Sequence, residues 1–476
     1  MIYDRSLCWL RRDLRLDDNT ALSVATQKSK KVFIVFVFDI CILKNLQDED
    51  DRRITFIVHS LRELSSRLRA KKSDLLVRIG NPIDEIPKLA AELKVNAVFA
   101  NRDYEPYAKT RDLKVSNSLL ANGIDFKSYK DQVIFEYPEI ISGQQRPYRV
   151  YTPYKNSWLK NLGPQHISDQ ISNFKTLSTI SDIDKHSINW NFSILGFKEN
   201  LLWLEAGEAA AQKRFEVFKK VENRYFDNRN FPYIDDGTSG LSVHLRFGTI
   251  SIRQLVRSTY QKNNIGVKTW LSELIWRDFY HTILDQFPHV ANSCFQVVCD
   301  QIEWPGKNRH FDLWCQGMTG YPLIDAAMRH FNNTGWMHNR LRMIVASFLT
   351  KDLLVDWRKG EKWFARKLLD FDLAANNGGW QWSASTGCDA QPYFRIFNPI
   401  TQSKNFDPDG RFIRHHISEL SGFSDRRIHW PHDAGIEEQN KAKCLLGTQY
   451  PHPIVVHAIQ RKRAIELFKE VKIGDT

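Results

Sequence analysis

Three stretches of this chain mix carboxylates, amides and arginines into otherwise aromatic and apolar text: WLSELIWRDFY at 270–280, TGWMHNRLRMIVASFL at 334–349 and DFDLAANNGGWQWSASTG at 370–387. In the first, Glu273, Trp276, Arg277 and Tyr280 recur at i, i+3, i+4 and i+7, so a helix would carry all four on one face. A carboxylate on a tryptophan-lined face is suited to recognising the edge of a nucleobase. An amphipathic helix with Trp270 and Trp276 in the core and Glu273 and Arg277 in ion pairs meets the same spacing. In the second stretch Asn339 and Met343 are i, i+4 partners with Arg342 beside them; a buried amide and a gap-filling methionine account for these as well as a ligand does. In the third, Asp370, Asp372 and Asn376 stand in an apolar run before NNGG and the indoles Trp380 and Trp382. Buried carboxylates and amides are costly without partners, so either a polar ligand or the capping of a helix end must satisfy them. Upstream, DDGTSGLSVHLRFG at 235–248 sets Thr238, Ser239 and Ser242 around Gly240. Such a loop can turn backbone amides toward a phosphate, and it can equally be an ordinary polar turn.

These residues need elements to hold them. The first 130 residues alternate short apolar runs, SLCWL (6–10), VFIVFVF (32–38), LLVRI (75–79), AVFA (97–100) and DFKSY (125–129), with segments of helical periodicity at 53–70 and 83–94. That alternation predicts an α/β domain with a doubly wound parallel sheet, and the lack of GxGxxG after the first strand argues against a usual dinucleotide fingerprint there. From 131 to 200 the periodicity weakens, and Pro138, Pro147, Pro153 and Pro164 punctuate a long connector. From 201 to 476 helical patterns dominate, and 11 of the 14 tryptophans fall there, which predicts an all-α domain with an aromatic-rich site.

Composition sets outer bounds. The chain of 476 residues, 42% hydrophobic and 26% charged, suits an ordinary globular protein, and a net charge of +12 suits a polyanionic partner without requiring one. No apolar run reaches membrane-span length and no leader pattern opens the chain, so a cytoplasmic protein is expected. The seven cysteines are scattered, with no CxxC pair, and no metal site is expected.

The ordered series CWLRRDLRLDDN, RDYEPYAKTRD, YTPYKNSW, TSGLSVHLRFG, ELIWRDFY, TGYPLIDAAMR, WMHNRLRM and DLAANNGGWQW followed by PYFRIFNP resembles the photolyase and cryptochrome superfamily from residue 6 to about 460. The resemblance implies an α/β antenna domain and an all-α domain binding FAD. By matching positions, Tyr225 and the loop Thr238, Ser239, Gly240, Leu241 and Ser242 would bind the flavin and its phosphates. Arg342, Asp370, Phe371 and Asp372 would line its ring and ribose, and Asn376 would face flavin N5, where an amide can serve a protonated or an unprotonated nitrogen.

Glu273, Trp276, Tyr280, Asn339, Met343 and Trp380 resemble the lesion pocket of class I cyclobutane pyrimidine dimer photolyases, whereas relatives acting on the (6-4) photoproduct carry a histidine pair where Asn339 and Met343 stand. The implied activity is light-dependent repair of ultraviolet-damaged DNA, single- or double-stranded, by a monomer into which the dimer is flipped from the duplex. Arg229, Arg340, Arg395 and Gln402 match positions that contact DNA beside the lesion, with solvated surface charge as the plain alternative. Trp380, Trp357 and Trp304 match an electron-hopping chain from flavin to surface. Glu105 matches an antenna contact, with 5,10-methenyltetrahydrofolate favoured and a deazaflavin open. A cryptochrome-type photoreceptor is the alternative function, disfavoured by the dimer pocket and by Asn376.

Overall fold

The computed structural model describes residues 2–472. Five strands, β1 (Tyr3–Leu10), β2 (Ser29–Asp39), β3 (Leu75–Gly80), β4 (Ala97–Asn101) and β5 (Asp125–Tyr129), form one sheet in the order β3-β2-β1-β4-β5. Every pairing is parallel, with Leu7 opposite Phe33 and Val98. Parallel strands need crossovers, supplied here by α1 (Thr20–Lys28), α2 (Arg52–Arg69), α3 (Pro82–Glu92) and α4 (Pro106–Ala121). The inner strands read as continuous apolar runs because both faces are covered, whereas the edge strand β5, DFKSY, is only half-buried. Leu7, Trp9, Phe33 and Val35 pack with Ile86 and Leu89 of α3 and Val115 of α4, while the alternate residues Cys8 and Ile34 are equally buried.

The remaining regular structure relevant to function is helical: α5 (Tyr151–Asn161), α6 (Glu208–Lys219), α7 (Ser242–Phe247), α8 (Ile265–Gln286), α9 (Asn339–Ser347), α10 (Trp357–Lys367), α11 (Leu373–Ala384), α12 (Pro399–Phe406) and α13 (His457–Lys472). By packing, the chain falls into two units, one of Met1–Asn223 with Ser239–Gln286, the other of Arg224–Thr238 with Phe287–Thr476. The helical stretch beyond residue 200 is thus shared between them. None of the described helices is long and apolar enough to cross a membrane.

A buried ionic knot explains why residues near 250 belong with the sheet. Asp131 accepts from Arg15 at 2.7 Å through one oxygen, and from Arg253 at 2.8 Å and Thr20 N at 3.1 Å through the other. Burial pushes the Asp131 carboxyl up, but the two guanidiniums hold it well below the usual carboxylate range. Within the same unit, α5 lies against α8: Trp158 donates to Asp278 at 3.1 Å, and Tyr154 packs on Phe279 with centroids 5.2 Å apart.

The second unit has its own core, in which Trp314, Phe331, Trp357, Phe364, Trp380 and Phe468 are buried together. Gly360 is required there: a Cβ on it would come within 2.2 Å of the Trp380 ring. Since Trp357 and Gly360 are i, i+3 neighbours on α10, Trp380 packs on the helix face that Trp357 begins.

Candidate functional site

In the first unit, Glu273, Trp276 and Tyr280 are half-buried along α8. Trp276 stacks face to face on Tyr151 at 3.6 Å with a 9° interplanar angle, and tilts against Tyr280 at 5.4 Å. Tyr151 is itself fixed by its hydroxyl, which donates to Ser272 O at 2.7 Å. The result is an aromatic ledge beside a carboxylate. Trp270 is buried against Phe218 at 4.8 Å, so the core reading holds for Trp270, while Trp276 sits between core and solvent. Arg277 donates to Gln132 O.

The serine-rich loop has the backbone its sequence calls for. Gly240 has φ +65°, Ser239 O accepts from Arg214 at 2.7 Å, Leu241 is buried, and exposed Ser242 opens α7. In the second unit, Arg229 lies over the ring of buried Tyr225 at 5.4 Å.

Helix α9 begins at exposed Asn339, whose amide is 4.0 Å from the Met343 sulfur. His338 caps it by accepting from Arg340 N at 3.1 Å. Burial, reinforced by Arg340, Arg342 and Arg229, pushes His338 down to about 3, so its imidazole is neutral and can accept. The Arg340 guanidinium donates to Asn230 at 2.7 Å and lies 4.4 Å over Phe406 of α12. Arg395 is exposed and Gln402 half-buried on α12.

The residues between α10 and α11 form the most unusual polar cluster. Arg342 donates from Nε to Met337 O at 2.8 Å and from Nη2 to Asp370 Oδ2 at 2.8 Å. The second oxygen of Asp370 is buried with no hydrogen-bond partner among the described residues. Such a group costs roughly 1–3 kcal/mol or more if it stays that way. Asp372 is the N-cap of α11, accepting from Ala375 N at 3.1 Å, so the capping explanation applies to it and not to Asp370. Asn376, 8% exposed, donates to Glu361 O at 3.3 Å, and Asn377 donates to Val290 O at 2.8 Å. Burial pushes the Glu361 carboxyl up to about 7. Half-buried Phe371 adjoins this cluster in sequence and packs on the unit's core. An acceptor awaiting a donor, an arginine and a buried amide on neighbouring elements suit a planar heterocycle bearing ribose hydroxyls, and FAD is such a group.

Trp380 and Trp357 are buried and Trp304 is half-buried, 5.9 Å from Phe468 of α13. The segment carrying Trp304 is tied beside Trp357 by Gly306 N donating to Leu354 O at 2.9 Å. Trp314, which its local sequence does not mark, makes a T-shaped contact with Trp380 at 6.1 Å. Glu105, at the N-terminus of α4, accepts from Arg12 at 3.0 Å and Arg246 at 3.1 Å. Next to it Asp103, pushed up by burial, is held down to about 2 by Arg12, Arg11, Arg246 and Arg111. Two signals were hidden: Tyr151 as the partner of Trp276, and Glu361 beneath the two asparagines. Both pairings join residues more than ten positions apart, where helical spacing says nothing.

Residues 6–171 match the DNA photolyase family and residues 270–470 match the FAD binding domain of DNA photolyase. The chain is 39% identical to the deoxyribodipyrimidine photo-lyase of a Synechococcus strain, across 98% of this chain and 96% of that one. Its fold is similar to a class III photolyase from Agrobacterium tumefaciens, with TM-score 0.90, 33% identity and coverage of 99% and 98% of the two chains. It is also similar to an archaeal photolyase from Sulfolobus tokodaii with two FAD molecules, which implicate a novel light-harvesting cofactor there (TM-score 0.84, 32% identity, coverage of 98% and 100%). The chain belongs to the DNA photolyase family and is an FAD-dependent enzyme of light-driven DNA repair.

Proposed function

We propose that this enzyme acts on cyclobutane pyrimidine dimers through Glu273, Trp276, Tyr280, Asn339, Met343 and Trp380. The observation that carries the site reading is Asp370: a buried carboxylate with one oxygen paired to Arg342 and the other left for a ligand. Arg342, Asp370, Phe371, Asp372 and Asn376 would hold the flavin ring and ribose, with Tyr225 and the Thr238, Ser239, Gly240, Leu241 and Ser242 loop toward its remaining groups. Bound FAD, reduced and photoexcited, supplies one electron to the lesion and receives it back.

The chain's own groups do the rest. Trp276, stacked on Tyr151, offers the lesion a flat apolar surface that is already ordered, so little side-chain freedom is lost on binding. Asn339 is exposed and can turn its amide to a base edge, and Glu273 beside Trp276 on α8 would meet the edge of the dimer stacked there. Arg229, Arg340, Arg395 and Gln402 contact the sugar-phosphate backbone and set register. Trp304, Trp357 and Trp380 relay an electron inward, a role supported by Trp380 packing on the α10 face that Trp357 begins and by Trp304 reaching toward solvent. An antenna, 5,10-methenyltetrahydrofolate or a deazaflavin, would rest near Glu105. The protein would work as a monomer in the cytoplasm, where its seven free thiols stay reduced.

The test is loss of dimers from irradiated DNA with and without blue light. Dimers should disappear only in the light, and Glu273→Ala should slow splitting by at least about tenfold at unchanged flavin content. Wild-type splitting by that variant would remove Glu273 from the reaction, and light-independent loss of dimers would overturn the reading.

A further inference from the structure

The middle indole of the tryptophan series has a charge fixed over its face. The Arg358 guanidinium carbon lies 5.0 Å from the Trp357 ring centroid. The guanidinium is tethered on every side: to Asp356 at 3.3 Å, Asn292 O at 3.2 Å and the Cys294 sulfur at 3.7 Å, with an ion pair to Asp300. Asp356 is in turn locked as the N-cap of α10, accepting from Arg358 N at 3.0 Å. Among the described residues, neither Trp380 nor Trp304 has a cation over its ring.

A cation over a resting indole is attracted by the negative face of the ring. Once the indole has lost an electron it carries a full positive charge, and the same contact becomes repulsive. We propose that Arg358 keeps the electron vacancy from settling on Trp357 and drives it outward to Trp304, a reading that rests on the route through Trp380, Trp357 and Trp304. Asp300 and Asp356 pull the other way, so losing the guanidinium leaves two carboxylates to favour the vacancy on Trp357.

Each transfer is of one electron: excited oxidised flavin would take one from Trp380 and be the species reduced, Trp357 refills Trp380, and Trp304 refills Trp357. A thiol reductant in solution then fills Trp304 and is the species finally oxidised. Every indole ends as it began. The vacancy is useful only at Trp304, which is half-buried, because Trp357 is fully buried and out of the reductant's reach.

The experiment is flash excitation of the holoprotein with oxidised flavin, following the indole radical by transient absorption over a series of thiol concentrations. In Arg358→Gln the radical should be quenched by thiol about tenfold more slowly or worse, since it stays on buried Trp357. Arg358→Lys, which restores the charge, should recover most of the wild-type rate, an outcome a purely structural arginine would not give. Should Arg358→Gln fail to fold, Arg358→Gln with Asp300→Asn strands one carboxylate fewer and should slow quenching by about threefold or more. A folded variant lacking the guanidinium that quenches at the wild-type rate overturns the proposal. Trp357→Phe separates the two readings: if it still forms a radical quenched as in wild type, the route fails, whereas a blocked Trp357→Phe beside a wild-type-like Arg358→Gln sinks only the role of Arg358.

Discussion

Asp131 and Asp370 are both buried aspartates paired to arginine, and they differ in one respect. Asp131 has both oxygens satisfied, by Arg15, Arg253 and Thr20. Asp370 has one oxygen satisfied by Arg342 and one with no partner among the described residues. A closed network stabilises the fold that built it, whereas an open one costs stability until something outside the chain completes it. An open oxygen alone does not mark a binding group, since Asp278 and Asp352 each also keep one buried oxygen without a partner among the described residues; Asp370 differs from both in having its other oxygen held by an arginine.

The largest effect that would sharpen this contrast is at the closed site. Asp131→Ala should leave two buried guanidiniums facing each other and destabilise the first unit by about 3–5 kcal/mol. Denaturant unfolding followed by tryptophan fluorescence checks it. A loss below about 1 kcal/mol would mean that the knot is solvated and its charges screened.

The sequence alone could not have drawn the contrast. Strands β1 to β4 were legible because buried parallel strands write themselves as apolar runs, and the predicted 32–38 lies inside β2, Ser29–Asp39, whereas the edge strand β5, DFKSY, left the weaker signal. Asp372 was half legible: an acidic residue before an apolar run is an N-cap signal, and it caps α11. The knot was invisible, because Arg15, Asp131 and Arg253 lie more than a hundred residues apart and each looks like an ordinary surface charge. Likewise nothing in YTPYKNSW announces that Tyr151 stacks on Trp276, since cross-helix stacking is decided by tertiary packing.

A second effect comes from Glu361, which lies beneath Asn376 and Asn377 in the open region. Its carboxyl is pushed up by burial from 4.5 to about 7 in the folded protein, so the folded state binds the proton more tightly. Stability from this group is present in full below pH 4.5 and is lost as pH rises through about 7. Glu361→Gln keeps an oxygen for Asn377 and cannot ionise, so it should overtake wild type across that window, by at most about 3 kcal/mol. Parallel stability-pH curves for the two proteins would show that Glu361 ionises freely in the fold.

At the open site, Asp370→Asn keeps the shape and removes the charge. Flavin retention should fall about tenfold to a hundredfold, the usual worth of a hydrogen bond to a charged group, while unfolding of flavin-free protein shifts far less. Equal losses in both would make Asp370 structural and erase its difference from Asp131.

The smallest effect extends the contrast to the surface. Arg340 is built in, with Asn230 at 2.7 Å and Phe406 beneath it, whereas Arg395 is exposed and pairs with no carboxylate among the described residues. A loosely held cation at a DNA surface acts mainly by releasing counterions from phosphate, and that contribution carries no information about the lesion. Arg395→Gln should therefore weaken binding only a few-fold, and equally for damaged and undamaged DNA. The slope of log affinity against log salt should become shallower by about 0.9, the value for one phosphate contact on a duplex. Arg340→Gln should differ in kind, because it releases the guanidinium from Asn230 and Phe406 and so loosens the start of α9 that presents Asn339, and preference for damaged DNA should fall along with affinity. If Arg395→Gln changed that preference while leaving the salt slope intact, Arg395 would belong with the residues that read the lesion, and exposure would no longer separate the charges that attract DNA from those that recognise damage.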